Sequence, residues 1–236
     1  MKGLLVRVGA DQSHGGGRWN GPCDGASRHF CYVPIPETKP TRDEFGTPYR
    51  LLSDAVSAFG VTLPTHLAPE NMHLDPDFAH LTYGDRGAKG KQLASLLQRD
   101  DLLVFYAGLR DPRDDALLYA IIGLFVVDRI VAANSQPLQD AHKNAHTRRV
   151  LPPEADDIIV LGQAGKSGRL KEFIPIGEYR ARAYRVTLPL LAAWGGISTN
   201  DGYLQRSAVF PSLLDTKQFV DWWQNQNPRL LQTNNP

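Results

Sequence analysis

Histidine and carboxylate residues stand together at two short spacings in this chain, Asp11-x-x-His14 and His73-x-Asp75. Imidazole and carboxylate are ligand types shared by zinc, manganese and iron, and the same side chains can move protons as general acid and base. Neither pair carries the third ligand that a catalytic metal needs, so the sequence assigns no metal and no cofactor. Asp11, His73, Asp75 and His146 stand as the candidate catalytic residues. The structural alternative for His73 and Asp75 is a capped turn at Asp75-Pro76.

Other catalytic patterns fail on spacing. Cys23 and Cys31 lack the Cys-x-x-Cys pairing of structural zinc. Ser167 and Ser207 lack a GxSxG elbow. The run GQAGKS at 162–167 resembles a phosphate-cradling loop, but the first glycine of that motif falls on Val160, inside a β-like run. What remains there is a donor set, Lys166, Ser167 and Arg169, suited to a phosphate or carboxylate.

Aromatic and basic side chains interleave: Trp19, Tyr83, Tyr106, Trp194 and Tyr203 lie near Arg18, Arg86, Arg110 and Arg206. Unpaired or flipped bases are gripped by stacking on aromatic faces and by hydrogen bonds to their edges, a mix that needs little net charge. The candidate base-binding set is therefore spread over several segments. It comprises Asp11, Ser13, Trp19 and Asn20, then His73, Asp75, Tyr83 and Asp85, with Tyr106 between them and the next group. Asn144, His146 and Arg149 follow, then Ser167 and Arg169, then Gln205 and Arg206. Trp19 or Tyr83 would stack on a base while Asp11, Asn20 and Asp85 read its polar edge. A net charge of +1 excludes a protein that coats long polyanions by charge alone.

Such scattered residues need a rigid frame, and the stretch from Asp101 to Val127 supplies it. Two apolar blocks, 102–109 and 117–127, flank the break DPRDD; both are too short to cross a membrane. They read as a β-hairpin at the centre of a sheet, with both faces covered because the apolar residues are nearly continuous. Further strands are expected at 3–9, 30–36, 158–162 and 173–176, with weak alternation over 179–188. Helices are expected at 48–59, 92–98, 135–149 and 213–225, and a frayed tail after 227. With 17 prolines and 21 glycines the chain is rich in turns. The expected fold class is α+β, a mixed or antiparallel β-sheet or barrel with flanking helices, in one domain spanning 1–236. Two cysteines exclude a disulfide scaffold and point to a reducing cytoplasm. The N-terminal apolar run is too short for a signal peptide.

The runs RVGADQSHGGGRWNGPCD, FCYVPIPE, HLDPDFAHLTYGD, DDLLVFYAGL and LYAIIGLFVV resemble the nucleotide modification associated domain of the third type. That resemblance covers most of the chain and implies a link to DNA-base modification in bacterial and phage gene neighbourhoods. Separately, the segment 100–127 resembles the hairpin of PUA-like barrels, the superfamily of EVE, YTH and ASCH domains. This second likeness implies a small barrel with a pocket for an extruded modified base, the helix near residue 50 and the Trp-rich C-terminal helix being additions. The partner implied is a nucleic acid or nucleotide carrying a modified base, with no membrane. Three functions stay open: a reader that binds the base, an enzyme acting on a nucleobase or nucleotide (a transferase or metal-assisted hydrolase), and a plain interaction module.

Overall fold

A computed structural model describes residues 1–205 and 207–235. In chain order the strands are β1 (Gly3–Arg7), β2 (Gly21–Pro22), β3 (Ile35–Pro36), β4 (Met72–His73), β5 (Thr82–Asp85) and β6 (Leu102–Arg110). They continue with β7 (Leu117–Ala132), β8 (Ile158–Gly162), β9 (Gly168–Pro175), β10 (Gly177–Arg180), β11 (Ala183–Val186) and β12 (Leu230–Leu231). The α-helices are α1 (Ser53–Ser57), α2 (Gly87–Leu96), α3 (Ala145–Arg148), α4 (Leu188–Ala193) and α5 (Thr216–Asn225).

The expected hairpin is present. β6 and β7 pair antiparallel, Leu102 opposite Val126 and Arg110 opposite Leu117. Every residue of β6 except Arg110 is buried, as continuous apolar sequence requires of a strand covered on both faces. β1 and β2 both run parallel to β6 along its outer edge. β7 is 16 residues long and serves two partners in succession, β9 against 120–124 and β8 against 127–132. Gly123 lies where this crossing is tightest. A Cβ there would stand 2.5 Å from the Phe78 ring and 2.7 Å from the Gly168 carbonyl oxygen.

β5 adds to β8 and β12 adds to β9, so the mixed sheet forks beyond β7 instead of curling back onto β1. It is not closed into a barrel, and the PUA-like resemblance finds no support. The α+β class stands, and the barrel form of it does not. Phe78, Phe105 and Phe125 meet edge to face at the centre of the main core, with ring centroids 4.7–5.7 Å apart. A smaller apolar cluster of Ala10, Cys31, Val33, Tyr49, Leu52, Val56, Leu67 and Met72 lies apart from it. Cys23 and Cys31 are buried and free.

Four element expectations change. The 135–149 segment is two 3-10 turns and the four-residue α3, because Asn144 adopts an extended φ of −147° and restarts the chain as an N-cap. Residues 48–59 form a 3-10 turn running into the short α1. Only Ile35–Pro36 of the 30–36 run is a strand. The tail is fixed, not frayed. Leu230 and Leu231 pair with Leu170 and Arg169, Asn234 Oδ1 accepts from the Phe78 N–H at 2.7 Å, and Asn235 makes two 2.8 Å hydrogen bonds to the Tyr32 backbone.

Candidate functional site

A cavity of about 550 Å³ is walled by β1 and the loop that follows it, by β4 and β5, by the start of α2, by Gln205 and by residues 207–211. Its floor is His73, Asp75 and His146, all buried. β4 delivers His73, and the turn leading to β5 delivers Asp75. Asn144 joins them to His146: its Oδ1 accepts from the His146 N–H at 2.8 Å, and its Nδ2 donates to Asp75 Oδ1 at 3.1 Å and to Thr82 Oγ1 at 3.2 Å. The Gly84 N–H donates to both Asp75 oxygens, at 2.9 and 3.0 Å. Only glycine fits there, because a Cβ at residue 84 would lie 2.5 Å from His146 Cδ2.

Each imidazole is held through Nδ1 by a carboxylate. His73 Nδ1 lies 2.7 Å from Glu37 Oε2, and His146 Nδ1 bonds to Asp157 Oδ1. Arg149 also binds Glu37, Nη2 to Oε1 at 2.8 Å, and approaches His73 Nδ1 at 3.0 Å. A nitrogen that donates to Glu37 cannot accept from Arg149, so the latter is a contact between donors. With Nδ1 held by a carboxylate in both rings, each Nε2 faces the third residue. Asp75 Oδ2 lies 3.9 Å from His73 Nε2 and 3.5 Å from His146 Nε2, and the two rings are 5.0 Å apart.

Burial lowers the His73 pKa against the opposing pull of Glu37. At His146 burial also acts downward, but Asp157 and Asp75 outweigh it and hold the ring up to about 9. Glu37 goes the other way: burial would raise it, yet hydrogen bonds from His73 and Arg149 hold it down to about 2. Imidazole and carboxylate donors of this kind suit zinc, manganese or iron.

Around the floor the walls are charged. Arg7, Lys39, Arg86, Lys89 and Arg149 line the cavity together with Asp11 and Asp85. Arg7 is committed to Asp11 at 2.9 Å, and Arg149 to Glu37. Lys39, Arg86 and Lys89 make no ion pair among the described residues. Lys89 Nζ lies 5.0 Å above the Phe210 ring. The Asp85 carboxyl is raised by burial, and the Tyr83 hydroxyl donates to its Oδ2 at 3.0 Å.

Of the residues singled out in the sequence, Asp11, His73, Asp75, Tyr83, Asp85, Tyr106, His146, Arg149 and Gln205 line this one cavity. The others lie elsewhere or act from behind. Ser13 supports Asp11 by its N–H at 2.8 Å and by its hydroxyl. Asn20 is spent on the Gly108 carbonyl at 2.9 Å, and Trp19 packs on the smaller apolar cluster. Asn144 bonds within the floor's support. Ser167 Oγ accepts from the Val126 N–H at 3.0 Å between strands. Arg169 lines a different cavity, its guanidinium 5.0 Å from the Phe30 ring and its pKa brought down to about 10 by burial. His14 is exposed, so Asp11-x-x-His14 is no ligand pair. Arg206 lies outside the described residues. The turn after Asp75-Pro76 is capped by Asp77, whose Oδ1 accepts from Ala79 and His80.

Aromatic stacking loses ground on this geometry. Tyr83 and Tyr106 are buried, their hydroxyls bound to Asp85 and to the Leu204 carbonyl, and the Tyr83 ring packs on Phe105. Sequence reasoning missed Glu37, Asp157, Arg7, Lys39 and Lys89. A lone Arg in the apolar run GLLVRVG was a usable signal for Arg7; Glu37 and Asp157 carry none, since their role exists only across the fold.

Fold and cavity together define an α+β protein whose open mixed sheet supports a charged, histidine-floored hollow. The chain belongs to the nucleotide modification associated domain 3 family, whose model matches residues 2–230. That membership ties it to nucleotide modification. No curated protein and no solved structure matches it. Among the described residues, no helix is long and apolar enough to cross a membrane.

Proposed function

We propose that this protein acts on a nucleotide held in the cavity, its phosphate gripped at the mouth by Lys39, Arg86 and Lys89 and its reactive part facing His73, Asp75 and His146. One observation carries the reading: cations that make no ion pair among the described residues and a buried His-Asp-His floor share a single cavity of about 550 Å³, within the size range of small-ligand sites. Family membership supports the nucleotide class. The floor favours an enzyme over a passive reader, since reading a base needs exposed aromatic faces and edge-directed hydrogen bonds, whereas both tyrosines here are buried.

Isothermal titration with nucleoside 5′-monophosphates and the matching nucleosides tests this. A charge-assisted hydrogen bond contributes about 1.5–3 kcal/mol, so the monophosphate binds at least about tenfold more tightly than the nucleoside. Lys89→Ala and Arg86→Ala each remove most of that advantage without moving the melting temperature. Equal affinity for the two ligands, or wild-type affinity in both variants, rejects the phosphate grip.

A further inference from the structure

We infer that His73 Nε2, Asp75 Oδ2 and His146 Nε2 bind one first-row divalent transition-metal ion at the floor of the cavity. This deepens the reading of the cavity as a nucleotide site, but the binding of the ion itself does not depend on that reading.

The distances come first. The three ligand atoms lie within 4.8 Å of one another, with 3.5 and 3.9 Å between the carboxylate oxygen and the two nitrogens. Ligands about 2.1 Å from a common ion stand roughly 3.0–3.4 Å apart in octahedral or tetrahedral geometry. Movements of less than about 1 Å would therefore close the set around an ion.

Second, the nitrogens are already prepared. Glu37 and Asp157 hold the two Nδ1 atoms from behind, which orients both rings with Nε2 toward the floor, where an arriving cation would displace any proton carried there. His73 Nε2 makes no hydrogen bond among the described residues although the residue is more than nine-tenths buried, and His146 Nε2 has only Asp75 Oδ2, 3.5 Å away, as a partner. A purely structural histidine would be expected to spend its second nitrogen.

Third, the carboxylate is oriented. Asn144 and Gly84 hold Oδ1, while Oδ2, which also accepts from the Gly84 N–H, is turned toward the two rings. Two imidazoles and a single carboxylate suit zinc, manganese or iron(II) better than the all-oxygen shells of calcium or magnesium. With three protein ligands on one side, the remaining coordination positions face the cavity, as a reacting site needs.

Metal-free protein, prepared with a chelator and dialysed, is titrated with Co²⁺ and followed by visible absorption, with Zn²⁺ as competitor. The expected result is a saturable d–d spectrum at one ion per chain that Zn²⁺ abolishes. His73→Ala and Asp75→Asn weaken binding at least a hundredfold. Glu37→Gln, which leaves all three ligands in place, weakens it about ten- to a hundredfold and alters the Co²⁺ spectrum. Circular dichroism checks the fold of each variant.

Less than a tenth of an ion per wild-type chain overturns the site without recourse to any variant, as does undiminished binding in a folded His73→Ala protein. Nucleotide titration of the metal-free protein is scored separately. Metal without nucleotide binding keeps this site and rejects the nucleotide reading, and the reverse outcome does the opposite.

Discussion

Gly84 carries two duties at the cavity floor: its N–H holds the Asp75 carboxylate, and its missing side chain makes room for the His146 ring. A methyl group 2.5 Å from His146 Cδ2 and 3.0 Å from Asn144 Oδ1 must displace one of them. Gly84→Ala should cost about 1–3 kcal/mol in urea unfolding, the usual range for overpacking a close-packed site. Asp85, on the same strand, gives a pH-dependent effect. Burial raises its carboxyl pKa, so the native chain binds this proton more tightly than the unfolded one, and stability falls as pH rises through the interval between the two values. Below the unfolded pKa both states are protonated and the penalty disappears. Asp85→Asn should therefore stabilise the protein more at pH 7 than at pH 3; equal changes at both values would show that Asp85 keeps an ordinary pKa.

Among the elements, the last strand is the one whose importance is least apparent from its own composition. β12 is two residues long, yet the segment following it ties Phe78, Asp77 and Tyr32, which lie behind the loop that delivers the cavity floor. Asp77 is fully buried and collects Arg148, His80 and Asn234. Burial would raise its carboxyl, but these partners together hold it below the usual carboxylate range. Deleting residues 229–236 removes several such hydrogen bonds at about 1 kcal/mol each and leaves their buried partners unpaired. The truncated chain should lose on the order of 3 kcal/mol by thermal or urea unfolding. A loss within about 0.5 kcal/mol, typical of a neutral surface change, would mean that the tail merely rests on the surface. α3 matters in the same way: four residues long, it has little intrinsic stability and persists because Asn144 caps it and Arg148 reaches Asp77 at its far side.

Across the whole molecule, β6 and β7 form a rigid spine, and the site is built where loops from distant parts of the chain meet beside it. The apolar hairpin, the first strand (expected over 3–9, found over 3–7), the strand at 158–162 and the closing helix (expected over 213–225, found over 216–225) were legible because each rests on local pattern: continuous apolar residues for a strand covered on both faces, helical spacing for a half-buried helix. His73-x-Asp75 stood out because the two ligand types are adjacent in sequence. The sequence by itself thus determined the α+β class, the spine and the identity of the chemically active residue types. Tertiary structure decided the rest. The sheet forks instead of closing because one long strand serves two partners, a choice made by packing around Gly123 and Phe78 that no local pattern encodes. His146 reaches His73 and Asp75 through the Asn144 cap, while Glu37 and Asp157 become their supports only after folding, since hydrogen bonds and ligand distances of a few ångströms between remote residues are properties of the packed chain alone.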